Sequence, residues 1–386
     1  MAIKDLFRKK ADSRELSQRS SDNAMISVTR LPSNYHADPA KMIAITDQRI
    51  LARITDAIPD LAQAGLQAQT AARYGGKALF EAILPPGADL KPHLKAGKDM
   101  FYGAGKAADG KDIFPDFHKL GPVNSATQIA AAAMNVASIV VGQYYMSQID
   151  GELKAIKGTM QQLLNFQMDE YRSNIQSLIN QVTKIADHQA EVLMNDELRS
   201  RMLSMLDDCE RKCDQLLEQA NQALLRLSQT KSIEYSEYEQ QVKEAAEWCA
   251  YQQILLNLQY QIGNLAYTLM FGTVSQEFCF SSYSTSLSSA QTACAGLCAW
   301  HEAQITHFGI DIRELTRKRK GFDAVLHSIP SLINRRLEQR PINEAIVGMM
   351  QTQMLTPSDL LSDFQSKFEM DTHILYDGEK LYYLKD

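Results

Sequence analysis

Cys294, Cys298 and His301 stand at i, i+4 and i+7, a spacing that puts two sulfurs and an imidazole on one helical face. Soft donors in that pattern hold zinc when a fourth ligand closes the tetrahedron. Here Ala293, Ala295 and Ala299 surround them and no fourth ligand follows. The reading is therefore core thiols beside a satisfied histidine, with no metal and no cofactor. Cys209 and Cys213 share a face in the same way and should meet a helical partner.

Phosphate chemistry is suggested by "GAGKAADGK" at 103–111, but a phosphate loop needs Ser or Thr after its Gly-Lys, and Ala107 follows Lys106. No GxSxG, HExxH or paired CxxC occurs. With no catalytic residue to name, the expectation is a protein that is not an enzyme.

The strongest electrostatic signal lies between 313 and 340. Arg313, Arg317, Lys318, Arg319, Lys320, Arg335 and Arg336 crowd this stretch, with Phe322 and His327 interleaved. Guanidinium forks bind phosphate bidentately and rings stack on bases, so a nucleotide signal or single-stranded oligonucleotide is a candidate ligand. A solvated face, or cations complementing a helix C-terminus, accounts for the same residues. The chain as a whole carries a formal net charge of −6, which excludes nucleic-acid binding by bulk charge.

These groups need elements to position them. Hydrophobic residues make up 45% of the chain and charged residues 22%, a balance that supports a buried core. No proline lies between Pro122 and Pro330, and Ala, Leu, Gln, Glu and Met dominate that span. Proline breaks helices, so its absence predicts long ones. Apolar residues step by three and four from Ile149 to Ile185, with a slip at Leu163–Leu164, as in a coiled-coil seam. Further helices are expected over 196–228, 233–271 and 284–308, joined by short breaks that imply antiparallel packing. The fold class read is mainly α: a long antiparallel helical bundle or coiled coil, a loop-rich N-terminal region and a small C-terminal β-hairpin.

Four regions follow. Residues 1–45 form an arm with a short strand in "ISVTRL" and a basic amphipathic helix in "MAIKDLFRKK", a type that can lie on anionic lipid. Residues 46–122 are helical and then Gly/Pro-rich, 123–309 are the long helices, and 310–386 are a basic helical region followed by a hairpin turning at Asp377-Gly378. No secretory signal is read in residues 1–20, and the six cysteines sit at helical spacings. A cytoplasmic protein with reduced thiols is expected, becoming associated with the inner membrane on activation.

The most apolar run is "AAAAMNVASIVVGQYYM" at 130–146, inside a stretch from 120 to 149 that has no charge. The stretches 248–276 and 278–301 are also uncharged. A bilayer core takes about 20 apolar helical residues. Each stretch is long enough, though polar groups interrupt all three. Inside a soluble bundle such helices are core. Alternatively, 125–149 inserts on a trigger. Ala133, Val136, Ala137, Ile139, Val140, Val141 and Gly142 would then enter lipid, Tyr144 and Tyr145 would sit at its interface, and amides such as Gln252 and Gln259 would line a lumen. The two readings are compatible.

With "VVGQYYM" running into "SQIDGELKAIKGTMQQLLNFQMDEYRS", the chain resembles the membrane channel effectors of bacterial Hailong anti-phage systems, over about 120–300. The resemblance is architectural and transfers no residue role. It implies a helical homo-oligomer held closed by a DNA oligomer that a partner nucleotidyltransferase makes, and a membrane channel when that ligand is lost. The expectation is a membrane-permeabilising effector. The alternatives are a soluble helical scaffold that binds a partner, and an oligonucleotide-binding protein acting through 313–340.

Overall fold

The computed structural model describes residues 27–32, 35, 37–58, 79–84, 90–92, 101–103, 105–106, 112–113, 125–162, 169–231, 234–318, 339–342, 358–363, 366–377 and 380–385. The described chain is mainly helical with small antiparallel sheets. Its helices are α1 (Gln48–Ala57), α2 (Ser125–Gln162), α3 (Asp169–Asp187), α4 (Gln189–Met194), α5 (Asp196–Ser228), α6 (Tyr235–Leu269), α7 (Gln276–Cys279) and α8 (Ser281–Phe308).

Local chemistry sets the ends. The Asn195 side chain accepts from the Leu198 amide at 3.0 Å and starts α5, because the first turn of a helix leaves its N–H groups without intrahelical partners. Asp47 caps α1 through the Arg49 amide at 2.9 Å, and Ser275 caps α7 through Phe278 at 3.2 Å. Gly309, at φ 58° and ψ 47°, ends α8 in the left-handed conformation that glycine adopts without strain. The long helices expected at 196–228, 233–271 and 284–308 are present within three residues at each end. The slip expected at Leu163–Leu164 lies outside the described residues.

Helix α5 packs along α6 and α8, while α2 packs along α6 and α3. Two polar layers tie α5, α6 and α8 together. In one, the Gln252 amide donates to Asn221 at 2.6 Å, and Cys294 donates to the Gln252 carbonyl oxygen at 3.2 Å. In the other, the Gln259 amide and the Ser286 hydroxyl both donate to Asp214. From one layer to the other α5 steps back seven residues while α6 steps forward seven. The two helices therefore run in opposite directions.

Both ends of the chain meet in one sheet. Strands β1 (Ser27–Arg30), β2 (Met42–Ala44), β3 (Phe80–Leu84), β11 (Thr372–Tyr376) and β12 (Leu381–Leu384) pair antiparallel in the order β1-β3-β11-β12-β2. The C-terminal strands are thus not a separate hairpin. They fill the middle of a sheet whose outer strands come from the loop-rich N-terminal region. Ile374 and Leu375 are adjacent and both buried, so β11 is covered on both faces, as suits a strand in the middle of the sheet. The turn expected at Asp377-Gly378 falls partly outside the described residues. Asp377 closes it by accepting from the Lys380 amide at 2.8 Å.

Short strands β4 (Leu90–Pro92), β5 (Phe101–Gly103), β6 (Gly105–Lys106) and β7 (Asp112–Ile113) pair as β4-β5 and β6-β7. Within the region expected to be basic and helical, the described residues 310–318 and 339–342 form strands instead, while 319–338 lie outside the described residues. These strands are β8 (Ile310–Asp311), β9 (Thr316–Lys318) and β10 (Gln339–Pro341), a three-stranded antiparallel sheet in the order β10-β9-β8. Gly309 stops the preceding helix, and Pro341, which has no N–H to donate, sits on an outer strand.

Candidate functional site

Two places carry the residues singled out by sequence: the apolar half of α2 and the sheet β8–β10.

On α2, Val136, Ala137, Ile139, Val140, Val141, Tyr144 and Tyr145 are all buried, and so is Gly142. Ala133 belongs to the same helix, with its side chain outside the described residues. The helix is buried nearly all round from 136 to 146, so it is core in this state. A Cβ added at Gly142 would stand 3.0 Å from Leu193 of α4, so the two helices approach closely there. Helix α2 also touches β3 and β11.

In this state the two tyrosines are packed against protein groups and not at an aqueous boundary. Tyr144 accepts from the Gln148 amide at 2.7 Å and its ring lies 5.4 Å from that of Tyr383 in β12. Tyr145 stacks on Phe368 at 5.4 Å, and its hydroxyl accepts from the Lys367 backbone N–H at 2.9 Å. Burial raises the Tyr145 pKa well above that of a free phenol, so the hydroxyl stays neutral. Phe368 is itself fully buried and wedged against Gly272. A Cβ at Gly272 would come within 2.6 Å of Phe368 Cβ, and its φ of 66° also favours glycine.

In this state Gln252 and Gln259, two of the amides expected to line a lumen, are buried among protein groups, while Asn257 is exposed. Gln252 and Gln259 are each 1% exposed and are held by Asn221 and Asp214. Burial raises the Asp214 pKa, which the donated hydrogen bonds from Gln259 and Ser286 partly offset.

On the small sheet, Arg317 of β9 faces Arg340 of β10 directly in register. The Arg317 guanidinium lies 3.9 Å from the centroid of the Tyr235 ring, a cation–π contact that fixes it against α6. Arg313 is exposed in the turn between β8 and β9. Lys318 is in β9, with its side chain outside the described residues, and Arg319, Lys320, Arg335 and Arg336 lie outside them altogether. Among the described side chains, Arg313 and Arg317 of the expected ligand set lie on this sheet, together with Arg340.

Among the described residues no three metal-ligating side chains converge. His301 is not the satisfied histidine expected from sequence. It is fully buried, Tyr238 lies 2.9 Å from Nδ1, and Nε2 has no hydrogen-bond partner. Burial depresses its pKa to about 4. Sequence reasoning missed the cover over α2 formed by Lys367, Phe368 and Tyr383. The only local signal was the aromatic "LYYL" at 381–384.

No protein-family model matches this chain, and no curated protein or solved structure matches it either. Among the described residues no helix is long and apolar enough to cross a membrane.

Proposed function

We propose that this chain is a non-enzymatic membrane-permeabilising effector of the Hailong channel type, described here with its apolar helix masked. The reading rests on one observation. One side of the apolar half of α2 is closed by a cover assembled from distant parts of the chain, with Tyr145 sealed by Lys367 and Phe368 and Tyr144 by Tyr383. In this reading that cover lifts first, and α2 then parts from α4 and α6. The long helices α5, α6 and α8 act as an antiparallel bundle that stays folded through the change. One helix interrupted by Asn135, Ser138 and Gln143 cannot line a water-filled path alone, so the active form is a homo-oligomer. The guanidinium surface of Arg313, Arg317 and Arg340 suits a phosphate-rich regulator such as a DNA oligomer supplied by a nucleotidyltransferase. The protein would begin in the cytoplasm and meet the inner membrane on activation.

The test is dye release from anionic liposomes by the purified full chain, with flotation to show which protein is bound. Phe368→Ala loosens the cover from outside α2 and should raise both release and flotation. If neither the wild type nor Phe368→Ala releases dye or floats, the reading is wrong. Val140→Asp, attractive from sequence, would also bury a carboxylate at a site 1% exposed and so report on folding as well.

A second reading is a soluble helical scaffold that binds a partner. The absence of a spanning helix among the described residues favours it, as do the side-chain partners of Gln252 and Gln259. It expects a monodisperse protein that never floats with lipid.

A further inference from the structure

The groove between α5 and α8 carries negative charge that no role above uses. It encloses about 360 Å³, and its walls are Asp214, Glu218 and Asn221 of α5 facing a run of serine and threonine hydroxyls at the start of α8. From the Asp214 layer to the Asn221 layer, α5 advances from 214 to 221 and α8 from 286 to 294, so the two helices run in the same direction. Carboxylates recur one turn apart on α5 at Glu210, Asp214 and Glu218, and hydroxyls do so on α8 at Ser282, Ser286 and Ser289. The two rows therefore lie side by side, and the carboxylates span about 12 Å in steps of about 6 Å.

The hydrogen-bonding capacity of the groove is one-sided. Its lining holds no lysine or arginine, and Arg211, the residue after Glu210, is paired with Asp208 instead. Asp214 accepts from both Gln259 and Ser286 through Oδ1, which leaves Oδ2 for a ligand. Glu218 accepts from Gln222 at 2.7 Å through Oε1, which leaves Oε2. Ser281 and Thr285 donate their hydroxyl protons to the Phe278 and Ser281 carbonyl oxygens at 3.1 and 3.0 Å. With Ser286 committed in the same way, these three hydroxyl oxygens present lone pairs and no donor. Two buried amides add to the pattern. Gln259 is 1% exposed, and its Oε1 has no hydrogen-bond partner although its amide nitrogen reaches Asp214. Asn221 lines the groove at 3% exposure. Its Oδ1 accepts from Gln252, and among the described residues no hydrogen bond takes up its Nδ2. Buried polar atoms are normally paired, so these amides mark a place built to meet a further polar group.

We propose that this groove binds a linear polyamine, an alkyl chain whose ammonium groups are separated by propyl or butyl spacers. Such spacers separate neighbouring charges by about the 6 Å between carboxylates four residues apart on a helix. Each ammonium sits between a carboxylate of α5 and the hydroxyl oxygens of α8, and the methylenes lie over Leu217. The Asn221 amide, one turn past Glu218, holds that carboxylate turned inward. A divalent metal ion does not suit this row. Among the described residues no three metal-ligating side chains converge, so the charge is strung along the groove and not gathered about a point. Burial raises the pKa of Glu210 and of Asp214, and the nearby charges of Asp214 and Asp207 raise that of Glu210 further. An ammonium beside them favours the charged carboxylates again.

The test is isothermal titration of the full chain with spermidine at low ionic strength, with melting temperature as a second readout. The expected result is a single spermidine per chain and a rise in melting temperature. Glu218→Gln, at an exposed site, should keep the melting temperature of the free protein and weaken binding about tenfold. Asp214→Asn keeps an acceptor for Gln259 and Ser286 and should weaken binding at least as much. Glu152→Gln, at an exposed position of α2, should bind as the wild type does. No binding of spermidine by the wild type overturns the proposal, and so does wild-type affinity in both Glu218→Gln and Asp214→Asn. Displacement of spermidine by Mg²⁺ at equal concentration of charge also overturns it, because the groove would then be a counterion site without a preference for a chain of charges.

Discussion

The hydroxyl of Tyr145 accepts a hydrogen bond from the backbone amide of Lys367, 222 residues away in the chain. This contact and the Phe368 ring stacked beside it fasten the C-terminal segment onto the apolar half of α2.

Removing either should loosen that fastening by a different amount. Tyr145→Phe keeps the ring and leaves the Lys367 amide without its acceptor, a loss of about 1–3 kcal/mol. Phe368→Ala removes a fully buried ring and should cost about 3–5 kcal/mol. Urea unfolding measures both. Hydrogen exchange should show segment 366–370 opening before α5 and α6 do. Equal protection of segment and helices in both variants would mean that the cover does not open on its own.

His301 makes stability fall in mild acid. Its folded-state pKa of about 4 lies below the 6.5 of an unperturbed imidazole. Between those values the unfolded chain binds more protons than the folded one, so stability decreases as pH falls from 6.5 toward 4. At most, roughly 3 kcal/mol is present above pH 6.5 and lost by pH 4. Tyr238, which faces the ring, stays neutral throughout because burial raises its pKa. His301→Gln should flatten this part of the pH dependence. The difference between wild-type and variant urea midpoints, taken at about pH 7.5 and about pH 4.5, isolates it from the carboxylates.

The Asn221–Gln252 pair is a buried tie whose halves depend on each other. Asn221→Leu or Gln252→Leu alone strands a polar partner at about 1–3 kcal/mol. The double variant should recover part of that loss, with a coupling of about 0.5–3 kcal/mol in a double-mutant cycle. Strict additivity would show that the two amides act separately.

On the β8–β10 sheet, a single-stranded oligonucleotide should bind with an affinity that falls as salt rises. If Arg317 and Arg340 each contact a phosphate, replacing either by Ala lowers the log–log salt slope by about 0.7. Fluorescence anisotropy over a salt series measures it. An unchanged slope in both variants would remove these two residues from the ligand surface.

The long helices were legible because their signals are local. Asn195 and Gly309 mark ends, and the proline-free span marks everything between. The terminal sheet was not legible as a unit, because its pairings are non-local. Glu81 and His373 meet at 2.9 Å although 292 residues separate them. Arg317 lies in strand β9, inside the region expected to be basic and helical, because a run of charged residues carries no apolar periodicity that separates a strand from a helix. The cover over Tyr145 depends on a backbone amide, which every residue but proline offers, so residue type could not point to Lys367.

The sheet order has a consequence for how the protein is made. Strand β11 lies between β3 and β12, yet both β11 and β12 follow the apolar half of α2 by more than 200 residues in the order of translation. At about 5–20 residues per second, Tyr144 and Tyr145 leave the ribosome on the order of ten seconds or more before Phe368 and Tyr383 exist to cover them. During every round of synthesis the newborn chain displays an unshielded apolar helix. Whatever meets that helix first, whether a chaperone, another nascent copy or a bilayer, competes with a sheet that is not yet complete.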